Sequence, residues 1–139
     1  MAFTFAMIKP DAVRAGNTGA IITLIEKSGF EIVRMEKKTL TRDIVEEFYA
    51  VHKARSFFGE MVDFVISGPV VLMALKKSDA VTAWRELMGA TNPVIATYGT
   101  VRRLYGKDIG SNAAHGSDAP ETAATELGLF FPDLRIDTE

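Results

Sequence analysis

Histidine is the side chain best suited to act as a nucleophile or base near neutral pH, and this sequence holds two, His52 and His115. His115 lies in Asn112-Ala113-Ala114-His115-Gly116-Ser117-Asp118, between a long aperiodic stretch and the start signal of a final helix. A ring at a strand-to-helix turn, with Gly116 removing bulk beside it and a helix N-terminus favouring negative charge, is placed to attack phosphorus. The competing reading, ordinary for a histidine taken alone, is a ring that packs or hydrogen-bonds at a turn. His52 is read that way. There is no cysteine, so disulfides, thiolate zinc sites and cysteine nucleophiles are excluded.

The candidate cations are fewer than the charge count suggests. Lys9 ends an apolar segment, where a long ammonium chain can lean over a neighbouring cleft. Arg85 falls on a helix face, and Arg102 and Arg103 fall in a loop, where surface charge is the alternative reading. Glu126 sits toward the end of a helix, opposing its dipole by ~0.3–1 kcal/mol, which hints that something else requires it. The net charge of -2 argues against a binder of phosphate backbones, which carries a strong positive excess.

The positioning elements follow from hydropathy. Residues 3–9 read as a central strand buried on both faces, ended by Pro10. Ile21, Ile22, Leu24 and Ile25 have helical spacing, with Ser28-Gly29 as the stop. Residues 31–39 read as a more charged strand nearer an edge. Thr41 suits the N-cap of the next helix and Leu40 a staple onto Val45; Ile44, Val45, Phe48 and Tyr49 form its stripe. A second short helix from about Ser56 carries Phe58, Met61, Val62 and Val65 until Ser67-Gly68-Pro69. Val70–Leu75 reads as another central strand. Ser78 caps a helix bearing Val81, Trp84 and Leu87, closed by Gly89. Residues 89–111 read as a long loop, of the length that is usually functional when ordered. Ala113 and Ala114 lead a short strand ending at His115, and Asp118 with Glu121 opens a final helix with Pro120 in its first turn.

This order gives an α+β (α/β) class: the βαββαβ plan of ferredoxin-like domains, with a four-stranded antiparallel sheet. A helical pair is inserted between strands 2 and 3, a long loop precedes strand 4, and a helix ends the chain. With 139 residues, 47% of them hydrophobic, one domain over 1–139 is expected. The opening apolar segment is too short for a signal peptide or membrane span, so the cytoplasm is the expected location.

The segment N-x-x-H-G-S-D resembles the active-site signature of nucleoside diphosphate kinases. Further segments match that family in order: Met7-Ile8-Lys9-Pro10-Asp11-Ala12-Val13, Phe48-Tyr49 with His52 and Arg55-Ser56-Phe57-Phe58, Ser67-Gly68-Pro69-Val70-Val71, Trp84 through Pro93, Gly99-Thr100-Val101-Arg102, and Phe130-Phe131-Pro132. The resemblance implies transfer of the γ-phosphate of a nucleoside triphosphate to a nucleoside diphosphate by a ping-pong route through phosphorylated His115. It implies that Lys9 and Arg102 neutralise the moving phosphoryl group, with a hydrogen bond from Tyr49. Arg85 and Thr91 would hold the inner phosphates, Asn112 and Lys9 the ribose, and Phe57 the base, with Met61, otherwise a core residue, flanking it. Glu126, supported by Ser117, would orient the imidazole. Mg²⁺ would arrive on the nucleotide phosphates, with no metal site on the protein itself, and the chain would form a homo-oligomer, a tetramer or hexamer. Stacking tolerates any base, so broad base use is expected.

Two positions depart from the family pattern. Tyr98 stands where proline is usual, and Arg103-Leu104 replaces a frequent glycine-aspartate; both bear on loop rigidity and subunit contacts. Two rivals remain at this level. A non-catalytic ferredoxin-like nucleotide sensor would need Phe57, Arg85 and Arg102 but neither His115 nor Glu126. A nucleic-acid binder would use Arg102, Arg103 and Lys107.

Overall fold

The computed structural model describes residues 1–136; residues 137–139 of the expected domain lie outside the described residues. Four strands form one antiparallel sheet in the order β2-β3-β1-β4. They are β1 (Ala2–Ile8), β2 (Glu31–Lys38), β3 (Val70–Lys77) and β4 (Ala114–Gly116). This is the ferredoxin-like arrangement. As expected, β1 and β3 are central, and β2 is a charged edge strand. A register shift between Ile32 and Arg34 bulges β2, a feature that protects an open edge. Arg34 also clamps Asp133 at 2.8 Å.

Strand alternation divides the core in two. Phe5 and Met7 of β1, with Val70, Leu72 and Ala74 of β3, face α3 (Arg42–Phe48), α4 (Phe58–Val65) and α7 (Pro120–Phe130). Ala6 and Ile8, with Val71, Met73 and Leu75, face α2 (Thr18–Lys27) and α5 (Ala80–Met88). The inserted helical pair is α3 and α4. Among the described residues, no helix is long and apolar enough to cross a membrane.

Local differences from the sequence reading have physical causes. A five-residue helix, α1 (Pro10–Arg14), follows β1 after Lys9, its N-cap; it is too short to show periodicity, and with Pro10 as its N1 residue the strand ends at Ile8 rather than at residue 9. Thr41 holds the N-cap position of α3 in extended conformation, but its side chain makes no capping hydrogen bond. Asp79, in left-handed conformation with φ 51°, caps α5 in place of Ser78, because β3 runs on to pair Lys77 with Ala2. The buried stripe of α5 is accordingly Ala80, Trp84 and Met88. The cap of α7 is Ala119, not Asp118. With Asp118 as cap, Ala119 would have to be helical immediately before Pro120, which proline disfavours.

The stretch from 89 to 111 is not structureless. It contains a 3₁₀ turn (Pro93–Ile95) and α6 (Val101–Tyr105), each shorter than any window in which periodicity can be read. Strand β4 starts at Ala114 and carries His115 at its centre, so Ala113 lies outside it.

Candidate active site

His115 pairs with Met7 across β1 and β4. Its ring therefore shares the sheet face of Phe5, while Ala114 and Gly116 face the opposite side. The ring lies among aromatics: Phe48 is edge-on with centroids 4.8 Å apart, and Phe5 is 6.0 Å away. Phe130 stacks on Phe5 at 4.8 Å. Strand β4 is held from behind by the Trp84 indole, which donates to the His115 carbonyl at 3.2 Å.

Within this aromatic pocket, Nε2 of His115 lies 3.2 and 3.3 Å from the two oxygens of Glu126. Ser117 Oγ donates to Glu126 Oε1 at 2.7 Å. Glu126 is only 8% exposed, and a buried carboxylate needs such donors. An ionised carboxylate only accepts, so the contact suits the neutral ring tautomer with its proton on Nε2 and its lone pair on Nδ1. Tyr49 is buried beside Phe48, with centroids 4.7 Å apart. Burial, and then the Glu126 charge, push its phenol far above the usual range, so it acts only as a neutral donor. Tyr49, His52 and Phe57 continue the aromatic line outward, with ring separations of 6.2 and 6.4 Å. Phe57 is 42% exposed, with the Arg55 guanidinium 5.7 Å from its ring centroid. Met61 packs against the core.

A second group assembles at the junction of β1, α1 and β4. Lys9 Nζ donates to Asn112 Oδ1 at 3.0 Å, and Asn112 Nδ2 donates to the Thr91 carbonyl at 3.0 Å. Burial lowers the Lys9 ammonium to about 8, against a raising effect of Asp11 and with a further lowering by Arg102. Arg102 donates to the carbonyls of Gly89 and Ala114, each at 3.0 Å. Its Nε is buried without a partner among the described residues. Burial and then the Arg85 charge lower its guanidinium to about 10. Two cations are thus held close enough to repel, an arrangement that favours the arrival of an anion.

The loop is built to hold Arg102. Thr100 caps α6 by accepting from the Arg103 amide and itself donates to the Thr97 carbonyl at 2.7 Å. Gly89 has φ 85°, and a Cβ there would lie 2.5 Å from Thr100 Oγ1, so only glycine fits. Arg103 is exposed, in line with the surface-charge reading, and also donates to the Val94 carbonyl at 2.7 Å.

Just before β4, Ala113 has φ 74°, and the Ala114 amide donates to the Asn112 carbonyl at 2.9 Å. This is the rare, strained form of γ-turn. A left-handed non-glycine residue costs ~1–3 kcal/mol. Asp11 Oδ2 accepts from the Ala113 amide at 3.1 Å, and a hydrogen bond to an ionised group returns about 1.5–3 kcal/mol.

Some sequence expectations need correction. Gly116 does not clear space for an anion: a Cβ there would lie 2.4 Å from Trp84 Cδ1, on the far side of the sheet from the imidazole. The N-terminus of α7 lines a separate cavity, a groove of about 1100 Å³ that takes in Arg85, Gly89 and Thr100 but excludes His115, Lys9 and Tyr49. The groove is spacious, but titratable groups converge at His115, and convergence identifies chemistry better than volume. Of the expected site residues, Lys9, Tyr49, Arg102, Asn112, His115, Ser117 and Glu126 stand in or beside these two groups. Arg85 and Thr91 are exposed at the rim. Phe48, Trp84 and Asp11 escaped the sequence reading as contributors; only Asp11, two residues after Lys9, left a usable signal.

The chain is similar to known proteins over nearly its whole length. A family model described as nucleoside diphosphate kinase matches residues 3–136. A nucleoside diphosphate kinase from Bradyrhizobium sp. (strain ORS 278) is 56% identical over 96% of this chain and 95% of its own. One from Hyphomonas neptunium is 54% identical with the same coverage. Among solved structures, the Aquifex aeolicus nucleoside diphosphate kinase superposes with TM-score 0.94 at 37% identity, covering 98% of this chain and 99% of that one. A halophilic nucleoside diphosphate kinase from Halobacterium salinarum, in complex with CDP, gives 0.91 at 38% identity, covering 99% and 91%.

Proposed function

The chain belongs to the nucleoside diphosphate kinase family and transfers the γ-phosphate of a nucleoside triphosphate to a nucleoside diphosphate, and we propose that the group travels on Nδ1 of His115. The observation that carries this reading is the contact of His115 Nε2 with the Glu126 carboxylate, which leaves Nδ1 as the free nucleophile.

In the first half-reaction, Nδ1 attacks the γ-phosphorus in line with the bond to the leaving oxygen. The Nδ1–P bond forms, the P–O bond breaks, and the diphosphate departs with the electron pair. The ring becomes cationic, and Glu126, held by Ser117, stabilises the Nε2–H as that charge develops. A second diphosphate reverses the step. One difficult transfer becomes two similar ones, and the protein's work is alignment and charge neutralisation.

Lys9 and Arg102 neutralise the equatorial oxygens, and the Tyr49 hydroxyl donates beside them. Arg85 and Thr91 hold the inner phosphates. Asn112 and Lys9 meet the ribose, so their mutual hydrogen bond is exchanged for substrate. The base stacks on Phe57, whose exposed ring supports broad base use. The diphosphate bound by the halophilic relative fits this scheme. Mg²⁺ would enter as part of the nucleotide substrate and would supply charge neutralisation of the phosphates there. Among the described residues, no three His, Asp or Glu side chains gather as a cation cage.

The whole chain, 1–139, is read as one domain, working in the cytoplasm as a homo-oligomer, a tetramer or hexamer. Exposed Val94, Ile95, Tyr98 and Leu104 support subunit contact through the loop, and sedimentation tests the number.

The decisive experiment uses ATP labelled on its γ-phosphate. Label should appear on the protein in an acid-labile bond, and His115→Asn should lose both labelling and nucleotide exchange. Full exchange by that variant would falsify the mechanism.

A further inference from the structure

We propose that Asp11 is a positioning residue: its carboxylate holds the strained turn at Ala113 in place, and through that turn sets Asn112 and His115 for phosphoryl transfer. The proposal rests on the phosphohistidine reading above.

Ala113 is fully buried, with φ 74°, so its strain cannot be relieved by moving into solvent. Strain of this kind persists only where surroundings over-determine it. Here each face of the residue is gripped. Its carbonyl accepts from the Lys9 amide at 2.8 Å, and its own amide donates to Asp11 Oδ2 at 3.1 Å. The first bond is backbone to backbone and holds for any side chain. Among the described residues, the second is the only side-chain hydrogen bond to the Ala113 amide.

Asp11 is itself well anchored. It follows Pro10 in the first turn of α1, whose N-cap is Lys9. The helix that sequence periodicity could not show therefore aims a carboxylate across to β4. What depends on the turn is functional. Asn112 on one side of it bonds Lys9; on the other side Ala114 and His115 take their register against Ile8 and Met7. Strand β4 spans three residues; Trp84 and Arg102 hold its His115 and Ala114 carbonyls, and Asp11 holds the turn that leads into it. A slip of one residue would turn the imidazole to the opposite sheet face.

A second route exists by which Asp11 could matter. Its Oδ1 is buried without a partner among the described residues, and its charge favours the protonated form of Lys9. Grip and charge are separable by substitution. Asp11→Ala removes both, Asp11→Asn keeps an acceptor without the charge, and Ala113→Gly removes the strain that the grip opposes.

The test is a double-mutant cycle on kcat for nucleotide exchange, with phosphoenzyme labelling on each variant. Asp11→Ala should lower kcat roughly 10- to 100-fold, the range expected for a lost charge-assisted hydrogen bond. Asp11→Asn should stay within about fivefold of the parent, corresponding to less than 1 kcal/mol. In the Ala113→Gly background, Asp11→Ala should cost less than about threefold, because glycine adopts the turn unaided. Equal losses in both backgrounds overturn the proposal. So does an Asp11→Asn as impaired as Asp11→Ala, which would assign the effect to charge on Lys9. A lowered Tm with unchanged kcat per folded molecule makes Asp11 merely structural and also overturns it. If Asp11→Ala does not fold, the double variant decides: it should fold and turn over, and its failure refutes the role. A parent enzyme that takes no label on His115 would remove the underlying mechanism instead, an outcome visible before any Asp11 variant is made.

Discussion

The alkaline limb of the pH profile tests how the site holds its cations. Burial pulls the Lys9 ammonium down to about 8, with Asp11 opposing and Arg102 reinforcing the shift. The cation is therefore present below that value and lost above it. With an ordinary lysine near ~10.4, no change would occur before pH 10. Here the charged fraction of the free enzyme falls from roughly nine-tenths at pH 7 to roughly one-tenth at pH 9 by simple titration. If Lys9 must be charged to receive phosphate, kcat/KM for ATP should drop about tenfold per pH unit beyond 8. A bound polyphosphate favours the ammonium, so the same limb in kcat should lie at higher pH. Arg102, lowered to about 10, stays charged through most of this window and cannot produce the limb. Lys9→Arg supplies a cation that does not titrate here; its profile should be lower, because the Asn112 hydrogen bond is altered, but flat to about pH 9. The assay is steady-state exchange at fixed ionic strength from pH 7 to 10. A parent profile flat to pH 10, or an identical limb in Lys9→Arg, would refute the assignment.

Glu126→Ala should slow phosphoenzyme formation by roughly 10- to 100-fold, as expected for loss of a hydrogen bond to an ionised partner; a change under threefold in rapid-quench measurements would leave the carboxylate without a role in the step. Gly116→Ala forces a Cβ to 2.4 Å from Trp84 Cδ1 and should destabilise the fold by ~1–3 kcal/mol in urea, whereas parental stability would mean that the strand and indole can part at no cost. Phe57→Ala should weaken every nucleotide by ~1–3 kcal/mol, measured as KM; loss confined to one base would contradict stacking.

What the sequence disclosed was what long segments and adjacent residues encode. The apolar runs around Phe5 and Leu72 gave both central strands, and the stripe Val45-Phe48-Tyr49 gave the helix that closes over the imidazole. Lys9 reads as a strand tip because Pro10 follows it, and it stands one residue past the strand, as the N-cap of α1. Hidden from sequence was whatever depends on the opposite face or on a distant partner. Gly116 next to His115 suggested room for a ligand, yet strand alternation sends its missing Cβ toward Trp84. Arg103 is the surface charge that its loop position suggests, but its bond to the carbonyl of Val94 has no signature in a sequence. The left-handed Ala113 was invisible for the same reason: alanine gives no warning of positive φ, and its support comes from Asp11, distant in the chain.

The choice between a phosphotransferase and a passive nucleotide sensor also turns on physical cost. Glu126 lies in a pocket otherwise closed by Phe5, Phe48 and Phe130, where an unpaired carboxylate would be expensive. It is retained with two donors, Ser117 Oγ and His115 Nε2. Leucine at this position with apolar neighbours would pack the same space, since buried polar clusters are often no more stabilising than hydrophobic replacements. A sensor that reads phosphates with Arg85 and Arg102 and the base with Phe57 gains nothing from that cluster. A nucleophile does. It needs Nδ1 unprotonated, its ring fixed, and a negative charge behind it as it turns cationic. A buried carboxylate paired to the ring is thus what the proposed transfer calls for and what a sensor can do without.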